Sequence, residues 1–278
     1  VMWGEHHQWL DSLQQAPYKT LVFSNPMDAL QSDLNLIPAT ILGESVEAVY
    51  HCQNSGRITG WSGYDQGDWW VMNPAAVYVV DRVWAASQFT SKPEQTVLDL
   101  CAAPGGKSFR FLQKGARVVS VDSNEERLSR MQSNLERLNL KTTLLQKDLT
   151  EYHEDLGVHD IVFLDAPCSG LGVVRKHPEI RWNRTQADVL ASAIRQRQFL
   201  NHAQHYVKEG GILAFCVCSL HPMEGEQVAE YFLKWNPSWN LHHRWSTPIE
   251  DPRIQMELLD GFQLFIFKKS EVLDVDAI

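Results

Sequence analysis

From Gln95 onward, short runs of aliphatic and β-branched residues alternate with stretches whose apolar positions recur at helical spacing. This rhythm predicts an α/β fold with a mostly parallel sheet. Strands are expected at 96–101, 117–121, 142–146, 160–165 and 211–218, and helices at 107–114, 125–138, 187–207 and 225–235. The second helix places Leu128, Met131, Leu135 and Leu138 on one face. Two closing segments, 239–245 and 262–268, read as an antiparallel pair that brings the sheet to seven strands.

The first 90 residues follow a looser pattern. Helices are expected at 6–13 and 27–34, and strands at 18–23, 46–50 and 68–72. The Gly-, Ser- and Asp-rich stretch 61–67 reads as a loop. A helix over 75–89 would carry Val77, Val80, Val83 and Trp84 on one face. The expected organisation is a small α+β N-terminal subdomain, 1–90, ahead of a Rossmann-like domain, 91–278. Trp69 and Trp70 could stack on RNA bases, although packing beside the sheet is the commoner fate of such a pair. No internal repeat or low-complexity segment stands out.

Composition narrows the function. A formal charge of −9 excludes a generally basic nucleic-acid coat, so any nucleic-acid surface must be local. Five cysteines, an odd number without paired spacing, argue against a disulfide scaffold and fit a reducing cytoplasm. No apolar stretch is long enough to span a membrane and no signal peptide is read. The chain begins at Val1 rather than at methionine, which leaves room for upstream sequence.

The chemistry centres on 97–107, where an apolar strand runs into Cys101-Ala102-Ala103-Pro104-Gly105-Gly106-Lys107 and a helix follows. Strand, glycine turn and helix start form the nucleotide-cradling corner of a doubly wound sheet, where free helical N–H groups face the ligand. The turn is neither a dinucleotide fingerprint nor a P-loop. A tight turn without a ligand is the plain alternative. Asp122, Asp148 and Asp165 then fall at the carboxyl ends of consecutive strands. Each alone is more often a turn residue, but together they favour a nucleoside-bearing cofactor. With no phosphate fingerprint, S-adenosylmethionine fits best. Asp122 is placed for a ribose diol and Asp148 for an adenine.

If the strands ending at Asp165 and Cys218 are neighbours, Cys168 and Cys218 meet at one pocket mouth. There an accessible thiol can be activated, whereas Cys52, Cys101 and Cys216 are read as buried and structural. Cys216-x-Cys218-x-x-His221 has no suitable fourth ligand, so no metal site is expected. A methyl donor beside two thiols suggests methylation of a pyrimidine at carbon 5. A thiolate adding to carbon 6 makes carbon 5 nucleophilic, and the base must be single-stranded or flipped out.

These motifs resemble the RNA cytosine-5 methyltransferases of the Nol1/Nop2/Sun group, and within it the bacterial Fmu/Sun (RsmB) type that modifies small-subunit ribosomal RNA. The likeness rests on residues 98–107, on Asp165-Ala166-Pro167-Cys168-Ser169-Gly170, on Cys218-Ser219, and on Arg175-Lys176-His177-Pro178-Glu179-Ile180-Arg181-Trp182. It implies Cys218 as nucleophile and Cys168 as the thiol that assists product release, with Lys107 and Asp165 lining the base pocket. Cys101, Ala102, Ala103, Pro104, Gly105, Gly106, Lys107, Asp122, Arg127, Asp148 and Asp165 would hold S-adenosylmethionine. Arg175, Lys176, His177, Arg181 and Arg184 would form a local basic strip for RNA.

Two segments depart from the family pattern. Val71-Met72-Asn73-Pro74 stands where Val-Gln-Asp is usual, and Pro222-Met223-Glu224-Gly225-Glu226 stands where Pro-Glu-Glu-Asn-Glu is usual. The all-helical RNA-binding domain of the RsmB type has no counterpart in these residues. The expectation is a cytoplasmic, monomeric methyltransferase acting on 16S ribosomal RNA. The rivals are a DNA cytosine-5 methyltransferase, whose nucleophile would be Cys168 but whose Glu-Asn-Val motif is missing, and a non-catalytic ribosome-assembly factor. An NAD-dependent enzyme lacks the required glycine fingerprint.

Overall fold

The computed structural model describes residues 19–41, 43–87, 94–247 and 259–269. The helix expected at 6–13 lies outside them. Four N-terminal strands, β1 (Lys19–Phe23), β2 (Leu36–Ile41), β3 (Glu44–Cys52) and β4 (Trp69–Val71), form an antiparallel sheet in the order β2-β3-β1-β4. Helix α1 (Pro26–Gln31) follows β1, with Asn25 accepting the Met27 N–H as its cap. The strand β2 was not expected from the sequence. It contains Pro38, and it is tolerated because β2 is an edge.

Helix α2 (Pro74–Ser87) leads into the large sheet. Its strands are β5 (Thr96–Leu100), β6 (Arg117–Asp122), β7 (Thr143–Gln146), β8 (His159–Asp165), β9 (Val207–Val217), β10 (Trp239–Ser246) and β11 (Gln263–Lys269). They lie in the order β10-β11-β9-β8-β5-β6-β7, with β11 antiparallel to both its neighbours and the rest parallel. The connecting helices are α3 (Gly106–Gln113), α4 (Glu125–Arg137), the short α5 (Ile180–Asn183), α6 (Gln186–Ala203) and α7 (Glu226–Trp235). Residue by residue the strands serve two cores. Ile161, Phe163, Ile212, Ala214, Leu264 and Ile266 pack with α2, α3 and α4 on one face. Val162, Leu164, Leu213, Phe215, Phe265 and Phe267 pack with α6 and α7 on the other. This alternation is the period-2 pattern of a strand buried on both sides.

The helix expected at 187–207 is shorter: α6 stops at Ala203, and Val207 already opens β9 opposite His159. The apolar run through Tyr206 and Val207 suits a helix end and a strand start equally, and only pairing with β8 separates them. Trp69 and Trp70 are 0% and 4% exposed, so both are core residues rather than stacking platforms.

The small sheet is not packed as a separate unit. Val22, Ala39, Ile41, Val49, Trp70 and Met72 belong to the same apolar cluster as α2 and the large sheet. Its other face closes a satellite core around Leu21, Phe23 and Trp69. A polar clasp reinforces the joint. Arg110 of α3 is bidentate to Asp81 of α2 at 3.0 and 2.8 Å, and reaches the Glu47 carbonyl of β3 at 3.4 Å. Gln113 donates to the Phe23 carbonyl of β1 at 2.7 Å. Asp81→Ala leaves the buried Arg110 guanidinium without its counter-ion. The expected cost is about 1–3 kcal/mol, read as a lower urea midpoint at unchanged slope.

Candidate active site

Strands β8 and β9 run parallel with Asp165 opposite Cys216, so both end at the same level. Beyond those ends the chain turns at 166–170 and 218–222, and the two turns lie side by side. Cys168 and Cys218, fifty residues apart, bring their sulfur atoms to 3.3 Å. The Cys168 thiol is pushed well up from its ordinary value, first by its hydrogen bond to Cys218 and then by burial. Cys52 and Cys216 are buried, while Cys101 is half-buried. All five cysteines are free thiols.

The glycine turn follows β5. Cys101 takes a left-handed conformation with φ of 60°, and the Ala102 N–H donates to the Val121 carbonyl at 2.9 Å. Gly105 has φ of 106°, and a Cβ there would lie 2.3 Å from the Phe109 ring, so only glycine fits. Asp122 braces the turn from β6: it accepts from the Ala103 N–H at 3.1 Å and pairs with Arg127 at 3.3 Å. Arg127 in turn donates to the Ala103 carbonyl. Asp148 lies exposed beyond β7, and the Thr150 N–H and hydroxyl hold its carboxyl below the usual aspartate value.

Lys107, at the start of α3, lies 2.5 Å from the Asp165 carboxylate and over the Phe262 ring at 5.7 Å. Burial alone would lower its pKa, but the Asp165 charge outweighs that and holds it raised and protonated. Lys107, Asp165 and Phe262 border a cavity of about 400 Å³ together with Ala102, Met72 and Asn73. The size is that of a small-ligand pocket. It opens between the small sheet and the ends of the parallel strands. Asp122, Arg127 and Asp148 do not line it.

Asp260 fixes the wall that carries Phe262. Its buried carboxylate takes the Arg175 guanidinium at 3.0 Å, the Lys176 ammonium at 2.8 Å and the Asn73 amide. Gly172 and Gly261 approach so closely that a Cβ on Gly172 would sit 2.1 Å from the Gly261 carbonyl. Asn73, a departure from the family pattern, thus has two tasks, since its Oδ1 also accepts the Ala75 N–H at the start of α2.

The expected basic strip needs correction. The Arg175 side chain is 3% exposed and points inward as a strut to Asp260. Lys176 shares that acid, His177 pairs with Glu179 at 3.2 Å, and Arg184 donates to the Ser169 carbonyl at 3.0 Å. Arg181 and Lys176 remain at the surface, beside Trp182, which is 77% exposed. The counter-charge comes from Asp260, eighty-five residues away in sequence from Arg175, which no local pattern reveals. Asp260, Phe262 and Glu224 were likewise not singled out as site residues. The available signals were an Asn-Pro helix start for Asn73 and an aromatic among cations for Trp182.

The ends of β5, β6 and β7 suit a nucleoside-bearing cofactor. Glycine lets the backbone approach at 105, the first N–H groups of α3 are free of helical partners, and Asp148 offers an exposed carboxylate. Asp99, just before the turn, is fully buried. Its Oδ2 accepts from Ser108 at 2.5 Å, while Oδ1 has no partner among the described residues. No group of three or more His, Cys, Asp or Glu that could hold a metal occurs among the described residues.

Residues 86–260 match the family described as 16S rRNA methyltransferase RsmB/F. Two curated relatives are ribosomal RNA small subunit methyltransferase B. That of Klebsiella pneumoniae is 41% identical over 152 residues, covering 53% of this chain and 35% of the relative. That of Yersinia pseudotuberculosis is 33% identical over 215 residues, covering 76% and 48%. The chain thus spans between about a third and a half of the length of these curated relatives. A solved methyltransferase homologue from Pyrococcus horikoshii shares the fold, with a TM-score of 0.74 over 96% of this chain and 92% of that one at 21% identity.

Burial pushes the Asp99 carboxyl up from 3.8 to about 7. The folded state therefore holds a proton that the unfolded chain releases, so this group's contribution falls as pH rises from about 4 to about 7. Asp99→Asn carries no such charge. Its stability relative to the natural chain should improve steadily across that window in urea unfolding, and a gap independent of pH would refute the assignment.

Proposed function

Because the chain belongs to the 16S rRNA methyltransferase RsmB/F family, we propose that it transfers a methyl group from S-adenosylmethionine to carbon 5 of a cytosine in small-subunit ribosomal RNA. The observation that carries this reading is the pair of thiols at 3.3 Å beside the Lys107–Asp165 ion pair. Asp122, Asp148 and the 101–107 turn would hold the cofactor, with Arg127 bracing the turn. When bound, the cofactor supplies an electrophilic methyl on a sulfonium.

The protein's part is covalent activation of the base. Cytosine carbon 5 is a weak nucleophile until a thiolate adds to carbon 6. Cys218 forms that S–C6 bond, and the electron pair displaced from the 5,6 double bond makes carbon 5 reactive. Lys107 and Asp165 present fixed charges to the polar edge of the base. After methylation, carbon 5 gives its proton to a base and the C6–S bond breaks, leaving the electron pair on the Cys218 sulfur. Cys168 is suited to assist there. Its raised pKa keeps it a thiol, whose S–H can bond the departing thiolate.

Lys176, Arg181 and Arg184, with His177 and the exposed Trp182, would meet RNA beside the pocket. The segment from Ile58 to Met72, which lines the cavity, would flank the RNA strand from the other side. Local charge of this kind is what an acidic chain needs to bind a polyanion. A reducing cytoplasm suits a site that needs both Cys168 and Cys218 as thiols, and no helix of the described residues is long and apolar enough to cross a membrane. A monomer is the simplest state consistent with one complete site per chain.

Two variants test the reading. Cys218→Ala should lose methylation and form no covalent RNA adduct. Cys168→Ala should attack and methylate but stall before elimination, accumulating a protein–RNA adduct that survives denaturing electrophoresis. An adduct in Cys218→Ala and none in Cys168→Ala would transfer the nucleophile to Cys168 and favour the DNA-type chemistry.

A further inference from the structure

We propose that Glu224 is the positioning residue that holds the two cysteine turns, and with them the two reactive thiols, in place, an inference that rests on the methyltransferase reading above. Glu224 is completely buried, just before α7. Its Oε1 accepts the Ser169 N–H at 2.8 Å and lies 3.5 Å from the Gln196 amide. Its Oε2 accepts the Ser219 hydroxyl at 2.6 Å and the Ser169 hydroxyl as well. Ser169 directly follows Cys168, and Ser219 directly follows Cys218. One carboxylate therefore grips the residue next to each thiol.

The grip is closed on every side. The two serine hydroxyls lie 3.3 Å apart. Gln196 also donates to the Pro167 carbonyl at 3.0 Å, and Gln263 donates to the carbonyls of Ser219 at 2.8 Å and Glu224 at 3.1 Å. These bonds link α6, β11 and both turns. Among the described residues no Lys or Arg forms an ion pair with Glu224, so its charge is held by hydrogen-bond donors alone. Charge-assisted bonds of this kind are short and directional. Steric filling would not require an acid here, because an apolar side chain fills a buried gap without desolvating a charge.

The charge of Glu224 adds to what keeps the proton on Cys168, after the hydrogen bond to Cys218 and burial.

The test uses the full chain with Glu224→Gln, which keeps the volume but turns one acceptor into a donor facing other donors. With RNA and S-adenosylmethionine, kcat should fall on the order of 10²-fold, the scale of a misplaced reacting group. KM for RNA and cofactor affinity should stay within about twofold. A second reading needs no turnover: alkylation by iodoacetamide without RNA or cofactor, with each cysteine followed by mass spectrometry. The natural chain should label Cys218 ahead of Cys168, and Glu224→Gln should narrow that preference. Ser219→Ala removes one donor while leaving the acid, and should move both readouts in the same direction by less. It serves if Glu224→Gln does not fold. An unchanged kcat, a loss matched by weaker RNA and cofactor binding, or an unchanged labelling preference would each overturn the proposal. If the natural chain fails to methylate RNA, the functional reading falls, and the labelling comparison still judges Glu224.

Discussion

The parallel register of β8 and β9 is the constraint on which the site depends. Asp165 sits opposite Cys216, and from that level each chain leaves the sheet into its cysteine turn. Side chains alternate faces along a strand, so a slip of one residue would reverse the faces of β9 and shift the turn that carries Cys218. What prevents the slip is burial. Val162, Phe163, Leu164, Leu213 and Phe215 are all fully buried, and each contributes roughly 1.5–3 kcal/mol in its proper environment. The chemistry at the strand ends is thus held by apolar matter that takes no part in it.

Buried acids do the remaining positioning, and they do it differently. Asp260 is neutralised by Arg175 and Lys176, which makes it a stiff strut for the wall bearing Phe262. Asp81, itself only half-buried, plays a comparable part against the buried Arg110 where the small sheet meets the large one. Among the described residues Glu224 has donors but no paired cation, so its negative charge still acts on the neighbouring Cys168 thiol. Among the described residues Asp99 has a single donor side chain, Ser108, and one oxygen without a partner, and burial favours its protonated form. The same carboxyl group is a brace or an electrostatic influence according to whether a cation shares its cavity.

Much of this was legible in the sequence because it is local. The alternation of strands and helices, the glycine turn, and the two cysteines at strand ends are short-range patterns, and the expected neighbours β8 and β9 do pair. Where one pattern served two structures, the reading failed. The run through Tyr206 and Val207 continued a helical spacing into what is a strand, and Pro38 concealed an edge strand. The largest gap was in charge pairing. Arg175 reads as a surface cation until Asp260 arrives from the far end of the described chain, and Glu224 reads as one letter of a divergent motif until Ser169 and Ser219 are seen to converge on it. Local sequence carries backbone preference well, but it does not say which distant group will meet a buried charge.

The position of β11 bears on the order in which the molecule can come together during synthesis. It is the latest strand in sequence among those described, yet it lies inside the sheet, between β9 and β10. Until residues 263–269 emerge, β9 has one bare edge and β10 has no partner strand at all. The described strands that come earlier in sequence, β1 to β4, also gain full cover only then, because the core on one of their faces includes Leu264 and Ile266. Phe262 and Gln263, which contact Lys107 and the Ser219 carbonyl, arrive in the same late segment. Closure of the sheet and completion of the pocket wall are therefore a single event, and a nascent chain halted before that point would have both thiols made but no finished site around them.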